Sequence, residues 1–419
     1  MRILFLLMML GGLGNEVSAQ REANYDEAKV PDYALPEILV DLQGNAVTNP
    51  SQWGNRRAEI LAMFESSVYG KTPKDPVEVS YRIHKSRNDA LGGIAVQKEV
   101  IATFRKGSAS REMNILIFLP KNVQGKVPVF LGLNFNGNHT IHADTSITLT
   151  GYWVRNKETQ HKATEASRGM NASRWAIEEI IRRGYAVATV YCGDLDPDYD
   201  DGFQNGIHPL FYKSGQTRPE PDEWGTIGAW AWGLSRVMDY FEQDPDIDHK
   251  KVAVLGHSRL GKAALWAGAQ DTRFAVVISN NSGCGGSALS RRKFGETVRI
   301  INTSFPHWFC ENFKEFNDRE EQVPVDQHML LALIAPRSLY VASAEEDLWA
   351  DPKGEFLSLH HAGAAYGLFG YGGIEQKPAV NNPVVNGKLG YHIRSGKHDV
   401  TRYDWDRYIE FVDHQLGTP

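Results

Sequence analysis

Cysteine is scarce in this sequence: Cys192, Cys284 and Cys310 are the only three in 419 residues. That leaves room for one disulfide at most. Cys284 and Cys310, which flank one excursion after a predicted strand, are the expected pair. None of the three sits in a motif that supplies a base to a thiolate, so thiol catalysis is not indicated. There is no long basic run, and the formal net charge is -6, so no nucleic-acid partner is indicated. Internal repeats and low-complexity tracts are also missing, which argues against a repeat array or a disordered tail.

Long apolar runs are absent beyond the first twenty residues. The opening stretch, MRILFLLMMLGGLGNEVSAQ, carries one Arg, an apolar run over residues 3–13, and the small-residue ending Val17-Ser18-Ala19. A run that short does not span a bilayer comfortably. It reads as a signal peptide over residues 1–19, cleaved after Ala19, with a secreted or periplasmic destination. No other stretch could cross a membrane, so no membrane association is expected after cleavage.

What remains, residues 20–419, is ordinary globular material, 42% apolar and 23% charged. Apolar residues at helical spacing in NRRAEILAMFESSVYG predict a helix. IAVQKEVIATF, MNILIFLP and the continuous apolar run VPVFLGLNF read as strands. Further on, SRWAIEEIIRRGYAVATVYCGD and GTIGAWAWGLSRVMDYFEQD…KVAVLG each read as helix then strand. RFAVVISNN, RSLYVASA and GYHIR add strands, and DWDRYIEFVDHQL closes on a helix. Strands alternating with helices predict an α/β fold with a mostly parallel sheet, in one domain decorated by insertions near 138–172, 195–223 and 284–325. Trp224, Trp230 and Trp232 have helical or near-helical spacing and are expected in the core.

The chemistry concentrates after KVAVLG. There the chain reads Gly256-His257-Ser258-Arg259-Leu260-Gly261-Lys262. A serine on a tight strand-to-helix turn presents its hydroxyl above the strand end, with the next backbone N–H aimed at an oxyanion position. The usual spacing is G-x-S-x-G, whereas the second glycine here falls one residue later. Taken alone, Ser258 is therefore as readily a helix cap as a nucleophile. Two later strand ends tip the balance: AEED offers Glu345, Glu346 and Asp347, and SGKHD offers His398. They follow Ser258 in the order serine, acid, histidine that such enzymes use. Asp347 is the expected acid, with Glu346 the alternative. His392 lies inside its strand run and is the weaker histidine. The stretch GDLDPDYDDG fails as a calcium loop, because Tyr199 stands where glycine is needed and no Glu falls at the twelfth position. It reads as a solvated loop, and no metal is expected.

From WGTIGAWAWGLSRVMDYF through VLGHSRLGKAALW to SRRKFGE, the sequence resembles the glucuronoyl esterases of carbohydrate esterase family 15, in their bacterial branch. The resemblance covers most of the mature chain. It implies an α/β-hydrolase fold, a three-layer αβα sandwich, and hydrolysis of esters between 4-O-methyl-glucuronic acid on xylan and lignin alcohols. No cofactor is implied. It makes Ser258 the nucleophile, His398 the base, and Arg259 an oxyanion stabiliser. Lys262 and Glu296 would bind the sugar, and Trp349 would line its pocket. Fungal members place their acid where this chain has Asn281, and an amide cannot neutralise an imidazolium, so the acid must come from elsewhere, and the strand end AEED is available. Their cysteines beside the serine and the histidine are here His257 and Asp399. The implied partner is glucuronoxylan or a lignin–carbohydrate ester, met by a monomer. The alternatives are an acetylxylan esterase on the same fold, which gives no reason for Lys262, Glu296 and Trp349 together, and a non-catalytic carbohydrate-binding relative.

Overall fold

The computed structural model describes residues 23–121 and 123–417, so the expected signal peptide lies outside the described residues. Ten strands form one sheet: β1 Glu78–Asp89, β2 Ala95–Lys106, β3 Ala109–Pro120, β4 Val127–Asn134, β5 Ala186–Tyr191, β6 Ile247–His257, β7 Val276–Asn280, β8 Ser338–Ala344, β9 Val384–Asn386 and β10 Leu389–Arg394. Their order is β1-β2-β3-β5-β4-β6-β7-β8-β10-β9. The run from β5 to β10 is parallel, while β1, β2, β3 and the short β9 pair antiparallel at the two edges.

Side-chain alternation along the parallel strands divides the interior into two layers. Val129, Leu131, Val252, Val254, Val277, Leu339 and Val341 face one layer. Their neighbours Phe130, Ala253, Leu255, Val276, Ile278, Tyr340 and Ala342 face the other. The first layer is covered by helices Thr226–Phe241, Arg259–Gln270, Gln327–Ala332 and Pro352–Gly367. The second is covered mainly by Arg402–Leu416, through Trp405, Tyr408, Ile409, Phe411 and Val412. Both faces are thus apolar, which is why these strands read as continuous hydrophobic runs. Each fully buried large side chain contributes about 1.5–3 kcal/mol, and Trp230, Trp266 and Trp405 are among the largest.

Two expectations are corrected. Cys284 and Cys310 are not bridged; all three cysteines are free and buried. Cys310 is held against the end of helix Pro50–Ser67, its N–H donating to Val68 O, whereas Cys284 sits in the turn after β7. Three of the aspartates of GDLDPDYDDG are not solvated: Asp194, Asp196 and Asp198 are buried and paired, while Asp200 is exposed. Asp196 accepts the Thr226 hydroxyl and faces His208, so this loop is tied into the core. Helix Pro352–Gly367 and strand β1 were not expected at all.

The parallel topology aligns the C-terminal ends of β6, β7, β8 and β10 along one rim of the sheet. The segments leaving those four ends carry Ser258, Asn281, Asp347 and His398. In an open parallel sheet this rim is where sites are built.

Candidate active site

Ser258 follows β6 with φ 57° and ψ -131°, a backbone region that costs a non-glycine residue about 1–3 kcal/mol. Its N–H donates to Asn280 O at 2.9 Å, and its carbonyl accepts Gly261 N–H at 2.9 Å, which holds the turn from both sides. Gly256 is required: a Cβ there would lie 2.0 Å from Leu260 O. Gly261 packs against the same turn, where a Cβ would lie 3.0 Å from Gly256 O. The shifted glycine spacing therefore serves one tight turn. Although Ser258 occupies the cap position of helix Arg259–Gln270, its hydroxyl makes no capping hydrogen bond. Arg259 opens that helix, so its N–H has no partner within the helix.

Across the cleft, His398 Nδ1 lies 2.5 Å from Asp347 Oδ2. Asp347 is buried, while the neighbouring Glu345 and Glu346 are exposed. The side chain of His398 is 38% exposed, so its ring is reachable from the cleft. Arg394, at the end of β10, shapes the histidine loop by donating to Lys397 O at 3.0 Å, Asp399 O at 2.5 Å and Asp404 Oδ2 at 2.8 Å. His392 is buried within β10, between Tyr340 and Asp404, and does not reach the cleft.

The Arg259 guanidinium pairs with Asp198 Oδ2 at 2.8 Å and lies over the rings of Phe135 and Trp308. Burial alone would raise the Asp198 carboxyl. Arg259, His307 and Arg155 outweigh it and hold the group well below the usual carboxylate range. Asp198 also accepts the Trp308 indole N–H at 2.9 Å. It therefore aims the cation and anchors the aromatic wall formed by Trp308 and Phe305, whose rings stack with centroids 3.7 Å apart.

Lys262 and Glu296 are both buried. Lys262 Nζ donates to Ser282 O at 2.6 Å and stands 3.7 Å from Glu296 Oε2. Burial pushes the Glu296 carboxyl up, and the Lys262 charge opposes it. Glu296 N–H donates to Trp349 O at 3.0 Å, and a Cβ at Gly295 would lie 2.4 Å from that same carbonyl. Trp349 itself is half-buried. Asn281, in the left-handed region at φ 46°, is buried with neither side-chain polar atom partnered among the described residues.

Ser258, Arg259, Lys262, Glu296, Asp347, Trp349 and His398 all line one cleft of about 250 Å³, together with Asn281, Phe305 and Trp308. Every site residue singled out from the sequence is therefore in one place. Sequence reasoning missed Asp198, the Phe305–Trp308 wall and the open amide of Asn281. The alternate spacing of Asp194, Asp196 and Asp198 directly after a strand was the available signal. A strained serine, a carboxylate-bound imidazole and a free helix N-terminus can together carry out nucleophilic acyl transfer. The cation, carboxyl and indole beside them can grip a polyhydroxylated, acidic acyl group.

Comparison with known proteins agrees with this reading. Residues 210–370 match the family model described as glucuronyl esterase, fungi. A carbohydrate esterase from an unknown prokaryotic organism is 56% identical over 408 residues, spanning 96% of this chain and 94% of the relative. Among solved structures, a promiscuous CE15 esterase from a marine bacterial metagenome is 57% identical with a TM-score of 0.88, covering 94% of this chain and all of that one. The glucuronoyl esterase from Solibacter usitatus is 49% identical with a TM-score of 0.88, covering 93% and 100%.

Proposed function

The chain belongs to carbohydrate esterase family 15 and is a carboxylic ester hydrolase, and from that premise we propose that it hydrolyses esters of (4-O-methyl-)glucuronic acid in glucuronoxylan. The observation that carries this reading is the cleft, in which the hydrogen-bonded His398–Asp347 pair and Ser258 share one wall-to-wall space with Lys262, Glu296 and Trp349.

In this reading Ser258 Oγ attacks the uronoyl carbonyl, and His398 Nε2 takes the hydroxyl proton. Asp347 holds Nδ1–H and stabilises the imidazolium that forms. The oxyanion is met by the Arg259 N–H and by its guanidinium, which Asp198 orients. Collapse of the tetrahedral intermediate expels the alcohol, a lignin-like or methyl group, with the proton from His398. Water, activated by the same imidazole, then attacks the acyl-serine and releases the uronic acid. The reaction uses neither metal nor organic cofactor. Lys262 and Glu296 bind the sugar hydroxyls, and Trp349 covers the ring. As an exported single-domain monomer, the enzyme would meet this polymer outside the cytoplasm.

The test is a comparison of ester classes. Hydrolysis of benzyl glucuronate should exceed that of an acetyl ester of xylose, because an acetyl group offers nothing to Lys262, Glu296 and Trp349. Activity confined to the acetyl ester would replace this reading with a carbohydrate deacetylase. Folded protein inactive on both would leave a binding relative.

A further inference from the structure

The hydrogen bond to Asp347 fixes one edge of the His398 ring but leaves the ring free to rock about that bond. A second imidazole lies against it. His257, the last residue of β6, has its ring centroid 4.4 Å from that of His398 at a tilt of 42°. We propose that His257 is a positioning residue, which holds His398 in line with Ser258 by packing on the imidazole face. The inference rests on the Ser258–His398 reading above.

The orientation of His257 is set by a chain of hydrogen bonds that runs back into the core. Asn280 is its partner across the β6–β7 pair. Asn280 Nδ2 donates to Asp404 Oδ1 at 3.1 Å and to the Tyr408 hydroxyl at 2.7 Å. Asp404 also accepts from Arg394 Nε and His392, and these partners hold it as a carboxylate, which can only accept. The amide of Asn280 therefore cannot flip, and its Oδ1 must face His257. His257 Nδ1, 2.6 Å from that oxygen, must be the nitrogen that carries the proton. A neutral ring with a fixed tautomer results. Burial, then the nearness of His398 and Arg174, keep His257 from charging. That matters because His398 becomes an imidazolium when it takes the serine proton, and a charged neighbour at this distance would oppose it. Phe135 stands edge-on to His257 at 6.2 Å and closes the stack.

The prediction separates positioning from packing. His257→Ala and His257→Gln both remove the ring, and Gln retains a polar group toward Asn280. Each should slow the reaction of Ser258 with a fluorophosphonate probe, and lower kcat on benzyl glucuronate, by about 10- to 100-fold. KM should stay within about twofold of the parent. His257→Phe keeps a flat ring and should restore most of both rates. The proposal is overturned if either ringless variant, folded by its thermal melt, keeps parental rates, if the loss appears in KM alone, or if His257→Phe is as slow as Gln. The probe acts without a sugar. A parent that is labelled but does not cleave the glucuronate ester would therefore sink the substrate reading alone, and the variants would still decide this one. A parent that is not labelled at Ser258 would overturn both.

Discussion

Ser258, Asp347 and His398 come from three strand ends, and their roles separate by substitution. Ser258→Ala removes the proposed attacking atom. Asp347→Asn keeps the shape but can no longer hold an imidazolium, and should lower kcat by about 10³- to 10⁴-fold. Glu346→Gln, at an exposed neighbour, should leave kcat essentially unchanged, and steady-state kinetics on benzyl glucuronate read both. Lys262→Met leaves Glu296 buried without its counter-charge and removes a donor from the cleft. It should lower kcat/KM on the glucuronate ester by about 10- to 100-fold, with a smaller loss on an acetyl ester. Ser258, Asp347 and His398 were legible because each follows a strand, in the order serine, acid, histidine, whereas Arg259, Lys262, Glu296 and Trp349 came from the family resemblance. Asp198 was not legible. Its sequence neighbours are acidic and would repel one another in water, and the contacts with Arg155, Arg259, His307 and Trp308, all distant in sequence, explain a buried carboxylate there.

At the scale of elements, the turn between β6 and helix Arg259–Gln270 carries the strain of the site. Gly256→Ala would drive a methyl group into Leu260 O. The expected result is a loss of about 1–3 kcal/mol in urea unfolding, with activity falling further than stability because Ser258 is displaced. Equal activity and stability would contradict the tight turn. Parallel strands β4, β6, β7 and β8 were plain in the sequence because both of their faces are apolar. Strand β1 was hidden because most of its side chains are exposed at the sheet edge and polar. Helix Pro352–Gly367 was hidden for the opposite reason. It is buried on most sides, Glu355 and Ser358 included, so no apolar stripe marks it.

Taken whole, the molecule keeps a buried carboxyl that couples its stability to pH. Glu355 accepts from Gly283 N–H, the Ser287 hydroxyl and the Ser343 hydroxyl, and so ties the loop after β7 to β8. Burial, partly offset by those donors, pushes its carboxyl up to about 7. A raised folded-state value means that its contribution is fully present below the unfolded value of about 4.3 and is lost as pH rises toward 7. Glu355→Gln should remove that slope, so its melting temperature should gain on the parent between those pH values. Parallel curves would contradict the assignment. The α/β class of the whole was legible from alternating strands and helices. The state of the cysteines was not, because spacing in sequence says nothing of which layer each thiol enters. The account stands or falls on one measurement: kcat/KM for benzyl glucuronate in the parent and in Ser258→Ala, side by side. The expected result is ready cleavage by the parent and a loss of about 10⁴- to 10⁶-fold in the variant. Comparable rates in the two proteins, or no cleavage by a folded parent, would contradict it.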